Sequence, residues 1–164
     1  MNKHITFILV FILPIFCLMT CTENAQEEKS GMSNLTSSIE ILQSWQGDFP
    51  VKYFELFSNE QREQALGFID DEITFTNIWK HFKPGQDIPE INFQDNFILF
   101  ARNTKFYNRI SIGQVKVKDG VAEILAMETM SAIPIEDHVA LSLVLIKRQG
   151  INAIRVGNET ISIN

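Results

Sequence analysis

Cysteine is nearly absent from this 164-residue chain: Cys17 and Cys21 are the only two, and none follows residue 21. That excludes a disulfide framework in whatever folds beyond that point, and any thiolate metal site there. Histidine is almost as scarce, with His4, His81 and His138 far apart and without metal-ligand spacing. Basic charge is also short. Fourteen Lys and Arg against 20 Asp and Glu give a net charge of −6, which argues against a nucleic-acid partner or a polybasic membrane-surface helix. No glycine-rich phosphate loop occurs, and no serine or cysteine sits in a nucleophile motif. The residues therefore point to no cofactor and no metal, and they make an enzymatic role the weaker expectation.

Charge of either sign is missing between Lys3 and Glu23. Within that gap, Ile5 to Phe16 is apolar except for Thr6. A short apolar run behind a positive start reads as a secretory signal. A membrane span needs about 20 apolar residues, and Pro14 interrupts a continuous helix. The following Leu18-Met19-Thr20-Cys21 resembles the lipobox of bacterial lipoproteins, although Met19 and Thr20 are unusual at their positions. The resemblance implies that residues 1–20 are cleaved off with Cys17, and that Cys21 becomes a lipidated first residue carrying acyl chains such as palmitate. It also implies attachment to a membrane of the bacterial cell envelope, most simply the outer membrane. The plainer alternative is an ordinary signal followed by a free or disulfide-bonded Cys21. The processed chain keeps 13 basic residues against 20 acidic ones, a net charge of −7.

Residues 21–34 are polar and lack apolar periodicity, which predicts a flexible tether. Glu27-Glu28 resembles the acidic sorting signals that follow the lipidated cysteine of some surface-exported lipoproteins. A solvated linker is the simpler reading. Residues 35–164 are then one β-rich domain of ordinary size.

Strand patterns dominate that domain. "NFILFAR" (96–102), "RISIGQVKV" (109–117) and "VAEILAMET" (121–129) are rich in β-branched and aromatic residues, with an Asp119-Gly120 turn signal joining the last two. "HVALSLVLIKR" (138–148) is the most apolar and is expected to be central. A small hairpin is expected from 152–156 and 159–163 about Gly157-Asn158. "YFELF" (53–57) looks extended. "IEILQSW" (39–45) fits either a strand or a helix capped by Ser37 and Glu40, and alternation favours the strand. "TFTNIWKHF" (74–82) carries Phe75, Ile78, Trp79 and Phe82 at i, i+3, i+4 and i+7, one apolar helical stripe. The fold class expected is α+β, mainly β: an antiparallel meander or sandwich-like sheet covered by one helix over 74–82.

"GFID", the Trp79 helix, "IPEINFQDNFILF" and the strands after it resemble the domain of PrcB-type protease-complex subunits over about residues 65–147. The matching positions are Trp79, Pro89, Asn92-Phe93 and the strand Phe97–Phe100, with Asn92 standing where the family has Asp. Tyr107 matches the end of the family's Gly-Gly-Tyr loop, but Lys105-Phe106 replaces its glycines. The resemblance implies a non-enzymatic accessory or binding module with a protein partner.

From the residues themselves, the loop "RNTKFYNR" is the first candidate surface: Arg102, Asn103, Phe106, Tyr107, Asn108 and Arg109 bring the Arg and Tyr types enriched at binding hot spots. The competing reading is that the aromatics close the core and the arginines are solvated. Glu128 shares a strand face with Ile124 and Ala126, where a carboxylate needs a partner. If the two strands are neighbours, Arg102 or Arg109 supplies it, as a structural ion pair or as the floor of a binding site. Residues 128–137 would then extend the docking surface. The alternative function class is a small envelope hydrolase or ligand-binding lipoprotein using Glu128, Asp137 and His138 as catalytic or ligand-binding groups.

Overall fold

The segment His138–Lys147 has nothing polar between its ends except Ser142, and the fold is arranged around it. The computed structural model describes residues 36–163. The expected signal peptide (1–20), the expected lipidation of Cys21 and the expected tether (21–34) lie outside the described residues. In chain order the elements are β1 (Ser37–Ile39), β2 (Ile41–Pro50), a 3-10 segment (Val51–Leu56), β3 (Leu66–Ile69), α1 (Glu72–Phe82), β4 (Asn96–Arg102), β5 (Ile110–Lys118), β6 (Val121–Glu128), β7 (His138–Lys147), β8 (Ala153–Val156) and β9 (Glu159–Ser162). The domain is α+β and mainly β, as its patterns predict.

Two sheets form. The four-stranded sheet has the order β2-β7-β4-β3, and the five-stranded sheet has the order β1-β5-β6-β8-β9. All pairings are antiparallel except β6 with β8. β7 lies between β2 and β4 and is buried on both faces, which is why its sequence does not alternate. Val139, Leu141, Leu143 and Leu145 face one core with α1, while Ala140, Val144 and Ile146 face another core against the five-stranded sheet. Successive side chains on one strand thus serve two layers. Ser142 is fully buried on the second face, where its Oγ accepts the Ile112 N–H at 3.2 Å. That N–H lies at the pairing irregularity between Ile112 and Gln114 on β5.

Helix α1 buries the expected stripe of Phe75, Ile78, Trp79 and Phe82. It starts two residues earlier than the pattern suggested, because Asp71 caps it by accepting the Thr74 N–H at 2.8 Å. Trp79 packs edge-on against Trp45 of β2, with ring centroids 5.4 Å apart. The Asp119-Gly120 turn has both residues at positive φ, 53° and 79°, as a tight hairpin requires.

Two expectations fail. "YFELF" is not extended: Val51–Leu56 is 3-10 helix, and Phe54 and Phe57 turn back to pack on Phe49. The strands from 96 onward are not one meander. β4 pairs with β7 and β3 rather than with β5. Residues 103–109 carry the chain from the four-stranded sheet to the other, and residues 129–137 carry it back. β4 ends and β7 begins at the same end of their sheet, because Arg102 pairs with Leu141. Both crossings are therefore at one end of the sandwich.

Candidate functional site

The two crossing loops brace each other. Tyr107 N–H donates to Ile133 O at 2.9 Å, Thr129 N–H to Arg109 O at 3.0 Å, and Arg109 N–H to Thr129 Oγ1 at 3.0 Å. Phe106 and Pro134 form an isolated antiparallel bridge. The segments 103–109 and 128–137, expected to form one surface, are thus brought together.

Beneath them lies a polar knot. Asn103, 2 % exposed, accepts the N–H groups of Asn108 and Ala140 on its Oδ1, each at 3.1 Å. Its Nδ2 donates to Glu128 Oε1 at 2.7 Å, and the Asn108 Nδ2 donates to the same oxygen at 2.7 Å. A carboxylate receiving two amide donors is well satisfied without a cation. This corrects the ion-pair expectation: Glu128 is held by Asn103 and Asn108, not by Arg102 or Arg109. The knot ties the start of the first loop to β7 and to the end of β6, so it positions the surface rather than belonging to it.

Arg102 is not a surface residue either. It points to the helix side of the four-stranded sheet and is 2 % exposed. Its guanidinium stacks on Phe54 at 3.8 Å from the ring centroid. Its Nε donates to Gln64 O at 2.8 Å, and its Nη2 to the carbonyls of Gln61 and Arg62. Burial lowers its pKa to about 10, against the partial opposing pull of Glu63, so it stays charged at neutral pH. It clamps the turn before β3. Of the other candidates, Arg109 is exposed and Tyr107 half-buried. The Tyr107 hydroxyl donates to Asp48 Oδ1 of β2 at 2.6 Å, and that bond raises the phenol's pKa.

Besides polar groups such as Lys105 and Arg109, the loops expose large apolar side chains. Phe106 is 46 % exposed, Ile133 63 %, Met127 65 % and Met130 fully. These four lie on the two loops and the end of β6. Met130 and Ile133 fall within the expected segment 128–137 and Met127 just before it, but none of the three is among the expected binding residues, although Met and Ile in a loop already depart from the usual polar loop composition.

Asp137 and His138 line a separate groove of about 740 Å³ with Tyr53, Lys80 and His81. Tyr53 and His81 stack there with ring centroids 3.5 Å apart. Glu128 is not among the residues lining it. The expected catalytic set of Glu128, Asp137 and His138 is therefore not assembled as one site. The groove was hidden from the sequence because it depends on the 3-10 segment that carries Tyr53. Among the described residues no group of three metal-ligating side chains occurs, and no helix is long and apolar enough to cross a membrane. The chain matches no protein-family model, no curated protein and no solved structure.

Proposed function

We propose that this chain is a lipid-anchored, non-enzymatic binding or accessory module of the bacterial cell envelope, docking a protein partner through the paired loops 103–109 and 129–137. The observation that carries this reading is the exposure of Phe106, Met130 and Ile133 on loops held by backbone hydrogen bonds and seated on buried Asn103 and Asn108, which hold Glu128. Exposed apolar side chains on mutually braced loops are what a docking surface offers. Rigid loops also lose less entropy on binding than mobile ones. The likeness to PrcB-type subunits points the same way, toward an accessory role in a larger assembly. The lipobox-like Leu18–Cys21 supports the anchor.

The test is affinity purification of the full-length protein from its own membrane, with wild type beside Ile133→Asp and Phe106→Asp. A partner recovered with wild type and lost with both variants supports the reading. Equal recovery with all three removes the loops as the site. Fatty-acid labelling of wild type but not of Cys21→Ser is expected if the anchor is real, and label on the serine variant would end that assignment. A second reading, a ligand-binding lipoprotein, is favoured only by the groove around Asp137 and His138.

A further inference from the structure

Sheet edges with unpaired backbone groups attract other strands, and proteins usually blunt them. The four-stranded sheet does so at both edges. On β3, Gln61 Oε1 accepts the Phe68 N–H at 2.6 Å. On β2, Lys83 Nζ donates to Gln46 O. The five-stranded sheet ends in short strands, β1 and β9. Yet it has an internal opening. β6 pairs with β5 along its whole length but with β8 only from Val121 to Glu123. Beyond Glu123, its side away from β5 has no strand beside it among the described residues.

The backbone register shows which groups face that lane. Gly120 O accepts the N–H groups of Asn152 and Ala153, on the β8 side, and Thr129 N–H donates to Arg109 O, on the β5 side. Alternation between these points turns the N–H and C=O of Ala126 and Glu128 into the lane. The side chains flanking it are apolar on the outer face, and on the inner face as far as Ala126, with Glu128 at the end. Ile124 packs toward the inter-sheet core, while Leu125 and Met127 lie on the outer face, 38 % and 65 % exposed. Where β8 ends, a hollow of about 240 Å³ is lined by Leu66, Ile124, Leu125, Lys116, Glu123 and Arg155, among others. Its charged side chains sum to one positive charge, and Glu123 already holds Arg155 at 3.3 Å.

Geometry selects the occupant. A second copy pairing through its own β6 would bring its β8 into the path that Thr129 follows. The chain preceding Thr36 joins the sheet through β1, beyond β5, and residues 22–35 include only Met32 and Leu35 as large apolar residues. A single extended peptide fits. β8 closes the lane at Glu123, so such a strand must end there. Running antiparallel to β6, it ends in a carboxylate that meets the net positive hollow. Running parallel, it would bring an ammonium group to the same place. We propose that the open edge of β6, Ile124–Glu128, takes up by strand addition the extended, apolar C-terminal segment of another polypeptide, with its carboxylate beside Lys116 and Arg155. This rests on the reading of the domain as a binding module but uses a different surface from the loop tip.

The experiment uses full-length protein in detergent micelles. The probes are a fluorescein-labelled hexapeptide, Gly-Thr-Val-Thr-Ile-Val, its C-terminal amide, and the same peptide with proline at its fourth position. The free acid should bind saturably and slow hydrogen exchange at the Ala126 and Glu128 amides. The amide should bind about tenfold more weakly, the loss of one charge-assisted bond, and the proline peptide should not bind. Leu125→Glu should abolish binding without changing the melting temperature. Ile133→Asp, which tests the loop tip, should leave peptide binding intact. Absence of protection at Ala126 and Glu128 with millimolar peptide would overturn the proposal, as would binding indifferent to Leu125→Glu. Equal affinity for acid and amide would overturn the carboxylate placement. Protection of the two amides without peptide, in a concentration-dependent dimer, would replace the peptide with a second copy.

Discussion

The two faces of β7 bury equally apolar side chains against different materials. On the helix side, Phe49, Phe57, Phe75, Phe82, Phe100 and Trp79 make a core rich in rings. On the sheet side, Phe97 is the only fully buried ring among the described residues, surrounded by Ile, Val, Leu and Ala. A helix laid on a twisted sheet leaves uneven gaps, which large rings fill. Two sheets pack at an even spacing of about 10 Å, which aliphatic side chains fill by interdigitating. The helix side should therefore fail by cavity formation, and the sheet side should tolerate small losses.

The sharpest way to break that contrast is Trp79→Ala. Trp79 touches Trp45, Phe75 and Phe82, and its loss should cost about 3–5 kcal/mol. Denaturant titration is the measurement, and a midpoint near wild type would mean that the rings are not what holds α1. Next in size is Glu128→Ala, at the end of the sheet-side layer. It strands the Asn103 and Asn108 amide donors rather than a cation, so about 1–3 kcal/mol is expected. A loss of 4 kcal/mol or more by the same titration, as roughly expected for breaking a buried ion pair, would reinstate an arginine partner. Ile146→Val, deep between the sheets, should cost only about 0.5–1.5 kcal/mol. If its thermal midpoint drops as far as that of Trp79→Ala, the two faces do not differ as argued.

The smallest effect belongs to Tyr107→Phe. The Tyr107–Asp48 bond is solvent-exposed, and less than about 0.5 kcal/mol is expected. Its signature is pH dependence. The folded-state pKa of the phenol is raised, so the contribution is present below the unfolded value of about 10 and is lost as pH rises through the folded one. The stability difference between wild type and Tyr107→Phe should thus vanish in alkali. A difference that grows above pH 10 would exclude the phenol as the donor.

Much of this layout was legible. A strand with no alternation had to be buried on both faces, and "HVALSLVLIK" is. The Trp79 stripe and the Asp-Gly turn each follow from local chemistry. Even the parity of the puzzling charges read true: Arg102 packs on Phe54 and Phe57 on the helix side, and Glu128 lies opposite Ile110 of the sheet-side core. Their pairing did not, because parity says nothing about which sheet a strand joins. β4 and β6 are in different sheets, so the two charges face different layers. The 3-10 turn at Val51 was equally invisible. Phe54 and Phe57 suit a strand locally, and only packing on Phe49 and under Arg102 turns them inward.

The position of β1 has a mechanical consequence. Ser37 pairs with Val117 beside the β5–β6 turn, whereas the crossing loops adjoin Ile110 at the other end of β5. Over the seven residue steps from Val117 to Ile110 that separation is about 23 Å. A partner gripping the loops while the N-terminal end is held would pull along the strands. β1 is then loaded in shear, with its bonds to β5 sharing the force at once, instead of being peeled away one by one. Strands running lengthwise between the two ends give the domain its stiffest direction where a pull on it would act.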